Sequence, residues 1–192
     1  ANAIYSYTDA LMLSGETASG KYPLEAVKTM AAIAEQAEKD RNAMGEWEVP
    51  MNDNCSQREF LAYAAIDATR KLGVAGIITD SLTGETVRHL AAFRGPNPVL
   101  AICYKDKTQR WLNLSYGVIP IHQKEQASAD YMFTAALRML RQKGYITLDD
   151  KIAYLSGSFG LGNPTGTTFL EINKVSQVFD KSYEFHLPKK SE

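Results

Sequence analysis

Apolar side chains recur three or four residues apart over several stretches of this chain, a spacing typical of amphipathic helices. Pro23 begins the first stretch, because its missing N–H suits the first turn of a helix. Ser56 and Glu59 have the spacing of a capping box before the second stretch, and Gly73 suits the left-handed position after it. The predicted helices are Pro23–Asp40, Ser56–Leu72, Thr86–Phe93, Thr108–Leu114 and Ala129–Lys143.

Short stretches rich in apolar residues lie between and after these helices, and such stretches are typical of buried strands. Helices and strands in alternation predict an open sheet covered by helices on both faces. The last strand follows a glycine-rich loop with no room for a crossover helix, so it should return antiparallel to its neighbour. We predict an α/β fold, a three-layer open mixed sheet of about five strands that is mostly parallel, with its last strand antiparallel. The predicted strands are Val74–Thr79, Val99–Cys103, Val118–Ile121, Lys151–Ser156 and Thr168–Val175.

A separate strand–loop–helix arm precedes this sheet, with Leu11–Leu13 as its predicted strand and the helix from Pro23 after it. The next stretch contains Gly45 and Pro50 and shows little periodicity, which indicates a connector. We predict an arm over residues 1–40, a connector over 41–53, an α/β domain over 54–180 and a polar tail over 181–192.

Composition narrows the classes of partner. The 192 residues carry 21 basic and 22 acidic side chains, a net charge of −1 that favours neither nucleic acid nor an acidic membrane. No apolar run approaches the roughly 20 residues that span a bilayer. The two cysteines, Cys55 and Cys103, are too far apart in sequence for a metal motif, as are the scattered histidines. Two free thiols favour a cytoplasmic protein, and we expect no metal site in this chain.

The loop after the first strand of the sheet is the first candidate binding site. Ser81, Thr83 and Thr86 offer hydroxyl groups there, and Gly84 lets backbone N–H groups turn outward. The N-terminus of the following helix adds partial positive charge, so the loop could hold a phosphate. The alternative is that these hydroxyls only cap the helix, and the pattern alone favours this alternative.

The glycine-rich loop before the last strand is the second candidate. Gly160, Gly162 and Gly166 allow the backbone to approach an anion closely, and Thr165 adds a hydroxyl group. The loop does not have the P-loop pattern, because no Gly-Lys-Ser or Gly-Lys-Thr follows. On spacing alone, a wide hairpin loop is the favoured interpretation.

The exact residue order of two stretches adds to these patterns. Met-Leu-Ser-Gly-Glu-Thr-Ala followed by Gly-Lys-Tyr-Pro-Leu-Glu-Ala-Val, within Asp9–Met30, closely resembles the last strand and helix of the pyruvate kinase (β/α)₈ barrel. The stretch Gly76–Val99 resembles the C-terminal domain of the same family without a gap. The resemblance therefore implies the C-terminal part of a pyruvate kinase, with residues 1–40 as an incomplete barrel end before the α/β domain.

In that family, the full-length enzyme transfers a phosphoryl group from phosphoenolpyruvate to ADP with Mg²⁺ and usually K⁺. The resemblance implies that the catalytic residues lie in earlier barrel strands, so this chain alone should be inactive and need no cofactor. Ser14, Glu16 and Thr17 would lie near the barrel mouth as supporting residues at most. The family assembles as homotetramers through its C-terminal domains, so self-association is expected.

The resemblance also implies that the loop around Ser81–Thr86 holds a phosphate of an allosteric sugar, with the later glycine-rich loop closing over it. Two positions depart from the family pattern. Leu82 stands where relatives that respond to fructose bisphosphate can carry Lys. Glu85 stands where many relatives carry Arg, and the negative charge of Glu85 would repel an anion. A phosphorylated small-molecule effector, a monophosphate or no effector at all therefore stay open. So does a stand-alone phosphate-binding module without catalysis.

Overall fold

A computed structural model describes residues 1–44, 51–124, 129–157 and 167–184 of the chain. The side chains of residues 42, 129–131, 157, 167–168 and 180–184 lie outside the description. The chain divides into two compact units, residues 1–48 and 49–192. Among the described residues, no helix combines the length and apolar character needed to cross a membrane.

The first unit consists of helices, α1 (Asn2–Tyr5), α2 (Gly15–Ala18) and α3 (Pro23–Ala43). Both short helices pack against α3, with Ile4 and Ala37 buried. The helix predicted from Pro23 is present and continues three residues past Asp40, into the predicted connector.

The strand predicted at Leu11–Leu13 is wrong for this structure, because residues 10–14 have no regular secondary structure. A parallel strand forms only when a neighbouring strand accepts and donates its backbone hydrogen bonds. The described part of the first unit contains no strand, so the apolar run has no backbone to pair with. Met12 in the middle of the run is accordingly 87% exposed.

The second unit is an open α/β domain. Its helices are α4 (Gln57–Lys71), α5 (Glu85–Ala92), α6 (Asp106–Leu112), α7 (Ala129–Gln142) and α8 (Val175–Glu184). Its strands are β1 (Gly76–Ser81), β2 (Val99–Cys103), β3 (Val118–His122), β4 (Lys151–Gly157) and β5 (Thr167–Lys174). The strand order is β3-β2-β1-β4-β5, with β5 antiparallel to β4 and every other pair parallel. The predicted three-layer mixed sheet and its antiparallel last strand are therefore confirmed.

Successive residues of each strand point to opposite faces of the sheet, and each face has its own apolar core. Ile77 and Leu155 pack on the face covered by α4 and α5, with Ile66, Val87 and Leu90 among their neighbours. Ile78, Leu100 and Ile152 pack on the other face with Leu137, Leu140 and Val175. This alternation also decides where polar side chains at the strand ends point.

The last helix, α8, was not predicted. Val175, expected as the end of the last strand, instead begins this helix, and its side chain is fully buried. Val178 and Phe179 follow three and four residues later, which is the spacing of one helical face, and they pack against the same core as Val175. The described chain therefore stays helical up to Glu184, beyond the predicted start of the tail.

Candidate functional site

Both candidate loops leave the sheet at the same edge. Strand β1 is parallel to β2 and to β4, so the carboxyl ends of these strands point in one direction. The second loop begins after Gly157 at the end of β4 and returns at Thr167, which is paired with Gly157 in the ladder. The second loop's candidate residues Gly160, Gly162, Thr165 and Gly166 lie outside the described residues. The structure thus gives the position of the strand ends that flank this loop.

The loop after β1 is organised by Ser81 and Gly84. The Gly84 N–H donates to the buried Ser81 hydroxyl at 2.7 Å, which closes a tight turn. Gly84 has φ +84° and precedes α5 as its N-cap residue, a backbone conformation that favours glycine. The Ser81 hydroxyl therefore stabilises the turn before α5, and the N-cap residue of that helix is Gly84.

The remaining hydroxyl groups of the first loop are closer to solvent. Thr83 is exposed and Thr86, in the first turn of α5, is half-buried. The Thr108 hydroxyl donates to the Leu82 carbonyl at 2.8 Å, which ties the loop to α6. The structure thus brings Ser81, Thr83, Gly84 and Thr86 together around the N-terminus of α5, where the backbone N–H groups of a helix favour an anion.

Arg58 is a residue of this region that the sequence patterns did not single out. It lies in the first turn of α4, and its Nη1 atom is in direct contact with the Glu85 Oε1 atom at the start of α5. The Arg58 side chain is 18% exposed and that of Glu85 is 49% exposed. The negative charge that Glu85 brings to the loop is therefore paired with a cation. Because the two residues are distant in sequence, no local motif could have indicated the pair.

Asp80 and Ser156 form a second polar pair at the same sheet edge, on the opposite face from Ser81. The Ser156 hydroxyl donates to the Asp80 carboxylate, joining the ends of β4 and β1. Burial raises the pKa of Asp80, and the Ser156 hydrogen bond opposes that effect without cancelling it. Burial also raises the pKa of the neighbouring Tyr154, and the Asp80 charge adds to the rise. Neither Asp80 nor Ser156 was predicted as a site residue.

The predicted barrel-mouth residues lie together in the first unit and bond with one another. The Ser14 N–H donates to the Glu16 Oε2 atom at 3.0 Å, and the Thr17 hydroxyl donates to the Ser14 carbonyl at 3.2 Å. Backbone hydrogen bonds, including the one from Ser14, lower the pKa of the exposed Glu16. The Glu16 and Thr17 side chains thus bond to the Ser14 backbone and stabilise the short helix α2.

Metal-binding side chains are not gathered anywhere in the described ranges. No group of three or more His, Cys, Asp or Glu residues there could hold a metal ion. Cys55 and Cys103 are both free, and burial raises the pKa of Cys103 to about 11. A buried thiol with so high a pKa remains protonated near neutral pH, so it has little nucleophilic character.

The fold defines the class of the second unit as a three-layer α/β domain in which the carboxyl ends of the parallel strands point in one direction. Residues 59–172 match the family described as pyruvate kinase, alpha/beta domain. The chain belongs to the pyruvate kinase family, which confirms the resemblance seen in its sequence.

Relatives and solved structures agree with this assignment. The chain is 38% identical to a pyruvate kinase of Borreliella burgdorferi over 93% of this chain and 38% of the relative. It is 36% identical to a pyruvate kinase of Clostridium acetobutylicum over 88% of this chain and 35% of the relative. It therefore spans little more than a third of these curated relatives. A Cryptosporidium parvum pyruvate kinase in complex with ADP shares the fold, with a TM-score of 0.72 and 23% identity, over 91% of this chain and 35% of that one.

Proposed function

We propose that this chain is the C-terminal regulatory and assembly portion of a cytoplasmic pyruvate kinase. The parent enzyme would transfer a phosphoryl group from phosphoenolpyruvate to ADP in glycolysis, giving pyruvate and ATP. Membership of the family supports this assignment, as do the relatives named pyruvate kinase. Two free cysteines are in keeping with a reducing compartment.

We further propose that the 192-residue chain by itself has no kinase activity. Phosphoryl transfer depends on metal ions that neutralise phosphate charge and on side chains that position the reactants. The parent enzyme's Mg²⁺ and K⁺ would supply that charge, but the described residues of this chain include no cluster suited to a metal ion. The family match covers the α/β domain, residues 59–172.

The observation that carries the regulatory proposal is the loop around Ser81 and Gly84. Its backbone is fixed by the Ser81–Gly84 hydrogen bond, it opens α5, and it leaves the same sheet edge as the glycine-rich loop. A preformed turn at a helix N-terminus favours phosphate, because its N–H groups need little rearrangement to bind. The proposed ligand is a phosphorylated small-molecule effector, and the proposed contacts are Ser81, Thr83, Gly84, Thr86, Gly160, Gly162, Thr165 and Gly166.

We also propose that the chain associates with itself, as a homotetramer in the parent enzyme. Leu24 and Val27 of α3 have the three-residue spacing of one helical face, and they are 59% and 45% exposed. An exposed apolar stripe on a helix favours association with another protein surface.

Two measurements test these proposals. A coupled assay of the purified chain with phosphoenolpyruvate, ADP, Mg²⁺ and K⁺ should show no turnover, and measurable turnover would refute the proposed inactivity. Calorimetry with fructose 1,6-bisphosphate should show saturable heat, and its absence would remove the case for this sugar as effector. The alternative function, a stand-alone phosphate-binding module, is favoured if inorganic phosphate binds and the chain remains a monomer.

A further inference from the structure

We call the proposed phosphate site around Ser81, Thr83, Gly84 and Thr86 the effector corner. A negative charge lies beside it that no residue of the loop itself balances. Its exposed charged residue, Glu85, is the first residue of α5, directly after Gly84. A phosphate at the N-terminus of α5 would lie beside this carboxylate, and two like charges at such close range repel each other. Leu82, on the other side of the turn, carries no charge. The loop therefore needs a cation from elsewhere in the fold.

The Arg58–Glu85 pair supplies that cation. The guanidinium of Arg58 reaches across from α4 and touches the Glu85 carboxylate, at the start of α5. The Arg58 side chain is largely buried, whereas half of the Glu85 side chain is exposed. A ligand at the loop can therefore displace the Glu85 carboxylate toward solvent more easily than it can displace Arg58.

The backbone that carries Arg58 is held in place. Ser56 and Glu59 form a complete capping box around the first turn of α4, with both reciprocal hydrogen bonds at 3.2 Å. Ala62 and Ile66 of α4 share one apolar core with Val87 and Leu90 of α5, so the two helices are packed together. An arginine fixed in this way is already positioned for a ligand, and the ordering cost of binding is reduced.

Resting on the proposed effector function, we propose that Arg58 is the cationic phosphate-binding residue of this corner and that Glu85 competes with the ligand for it. The planar guanidinium offers several N–H donors, which suits the oxygens of a phosphate. A dianionic phosphate monoester attracts the guanidinium more strongly than one carboxylate does. The corner thus favours a dianionic phosphate group over a carboxylate, and Glu85 sets the affinity by holding Arg58 until the ligand arrives.

The test is a calorimetric titration of the full 192-residue chain with inorganic phosphate and with fructose 1,6-bisphosphate. Arg58→Gln should weaken binding about tenfold, since a charge-assisted hydrogen bond is lost and Glu85 is left unpaired. Glu85→Gln should tighten binding about threefold or more, since the competing carboxylate is removed. Arg58→Lys should fall between wild type and Arg58→Gln, because it keeps the charge but loses the planar fork.

Arg88→Gln is the matched control. It removes one positive charge from α5, but the guanidinium of Arg88 lies over the Trp111 ring, 5.2 Å from its centroid. Its affinity should stay within about twofold of wild type, because the Arg88 guanidinium is held over Trp111 and solvent and salt screen its exposed charge. An equal loss in Arg58→Gln and Arg88→Gln would show a general charge effect and overturn the inference.

The outcomes separate this inference from the proposed function. If wild type and Glu85→Gln both fail to bind either probe, the effector site itself is refuted. If wild type binds and Arg58→Gln binds equally well, the effector site stands and the role of Arg58 is refuted. If circular dichroism shows that Arg58→Gln does not fold, Glu85→Gln decides, and binding no tighter than wild type contradicts the inference.

Discussion

The Ser156 hydroxyl donates a hydrogen bond to the Asp80 carboxylate across two neighbouring parallel strands. Ser156 directly precedes Gly157, the last residue of β4, after which the glycine-rich loop departs. Asp80 directly precedes Ser81, the last residue of β1, after which the first candidate loop departs. The pair therefore fixes the relative position of the two strand ends from which both candidate loops leave the sheet. It does so with a carboxylate whose burial disfavours its charge.

Asp80→Asn should raise the stability of the protein at neutral pH relative to wild type. The pKa of Asp80 is raised in the folded state above its ordinary value of 3.8, so folding favours the protonated form. The stability of wild type therefore falls relative to that of the variant as the pH rises from the ordinary pKa of Asp80 to its raised pKa in the folded state. Above that range of pH the difference in stability is constant. An asparagine keeps an oxygen that accepts from Ser156 and carries no charge to desolvate. Urea unfolding at several pH values measures the difference.

Asp53→Asn is the control for the loss of a carboxylate, because Asp53 is exposed. Its stability should follow that of wild type across the pH range. A difference between Asp80→Asn and wild type that is the same at pH 3 and pH 7 would contradict the titration of Asp80 as its cause.

Gly84→Ala should destabilise the second unit by about 2 kcal/mol or more. An alanine at φ +84° costs about 1–2 kcal/mol in backbone conformation. Its Cβ would also lie 3.1 Å from the Leu112 Cδ2 atom, which is closer than ordinary van der Waals contact. The variant should weaken phosphate binding as well, because the turn that presents the backbone N–H groups is disturbed. Urea unfolding and phosphate titration measure the two effects.

Gly144→Ala isolates the backbone part of this effect. Gly144 has a similar φ of +76°, but a Cβ there would meet no atom within 4 Å. We expect it to cost only the conformational strain and to leave phosphate binding unchanged. If Gly84→Ala costs no more than Gly144→Ala, then the contact with Leu112 is not a constraint on the loop.

The sheet could be predicted from the sequence because most of its strands contain a short apolar run with a helix or a turn on either side. The antiparallel last strand could also be predicted from local information, because the glycine-rich loop before it leaves no room for a crossover helix. The run Leu11–Leu13 has the same local pattern and formed no strand, because pairing depends on neighbours that the described first unit does not provide. Local pattern therefore predicts a strand only when partners are present.

The site was less predictable for a related reason. The hydroxyl groups and the glycine of the first candidate loop are close together in sequence, so their grouping could be anticipated. The pairs Arg58–Glu85 and Asp80–Ser156 join residues from different elements, and only the packing of α4 on α5 and of β4 on β1 brings them together. The Arg58–Glu85 pair balances a negative charge of the site, which is why the sequence described Glu85 as a repelling residue and the structure describes a paired one.

Ser56→Ala should lower the free energy of unfolding by about 1 kcal/mol, the usual cost of losing an N-cap. The Ser56 hydroxyl accepts from the Glu59 N–H at 3.2 Å and completes the capping box of α4. Because Arg58 lies in the same turn, the variant should also weaken phosphate binding. Ser14→Ala is the control, since Ser14 precedes α2 without a side-chain capping bond. An equal change in both variants would contradict the capping role of Ser56.

Removal of the first unit should lower the self-association of the protein. A shortened chain that begins at Asn54 lacks α3, whose residues Leu24 and Val27 expose apolar surface that water disfavours. Static light scattering should therefore give a lower mass for the shortened chain than for the full chain at equal concentration.

The full-length variant Leu24→Gln/Val27→Gln tests the two exposed apolar side chains without deleting the first unit. It keeps α3, because glutamine is a good helix former, but it replaces the two exposed apolar side chains with polar ones. Its mass should fall toward that of the shortened chain. Leu114→Gln is the matched control, because Leu114 is 61% exposed on the second unit and outside α3. If the double variant keeps the wild-type mass while the shortened chain does not, the stripe on α3 is not the associating surface and another part of the first unit is responsible.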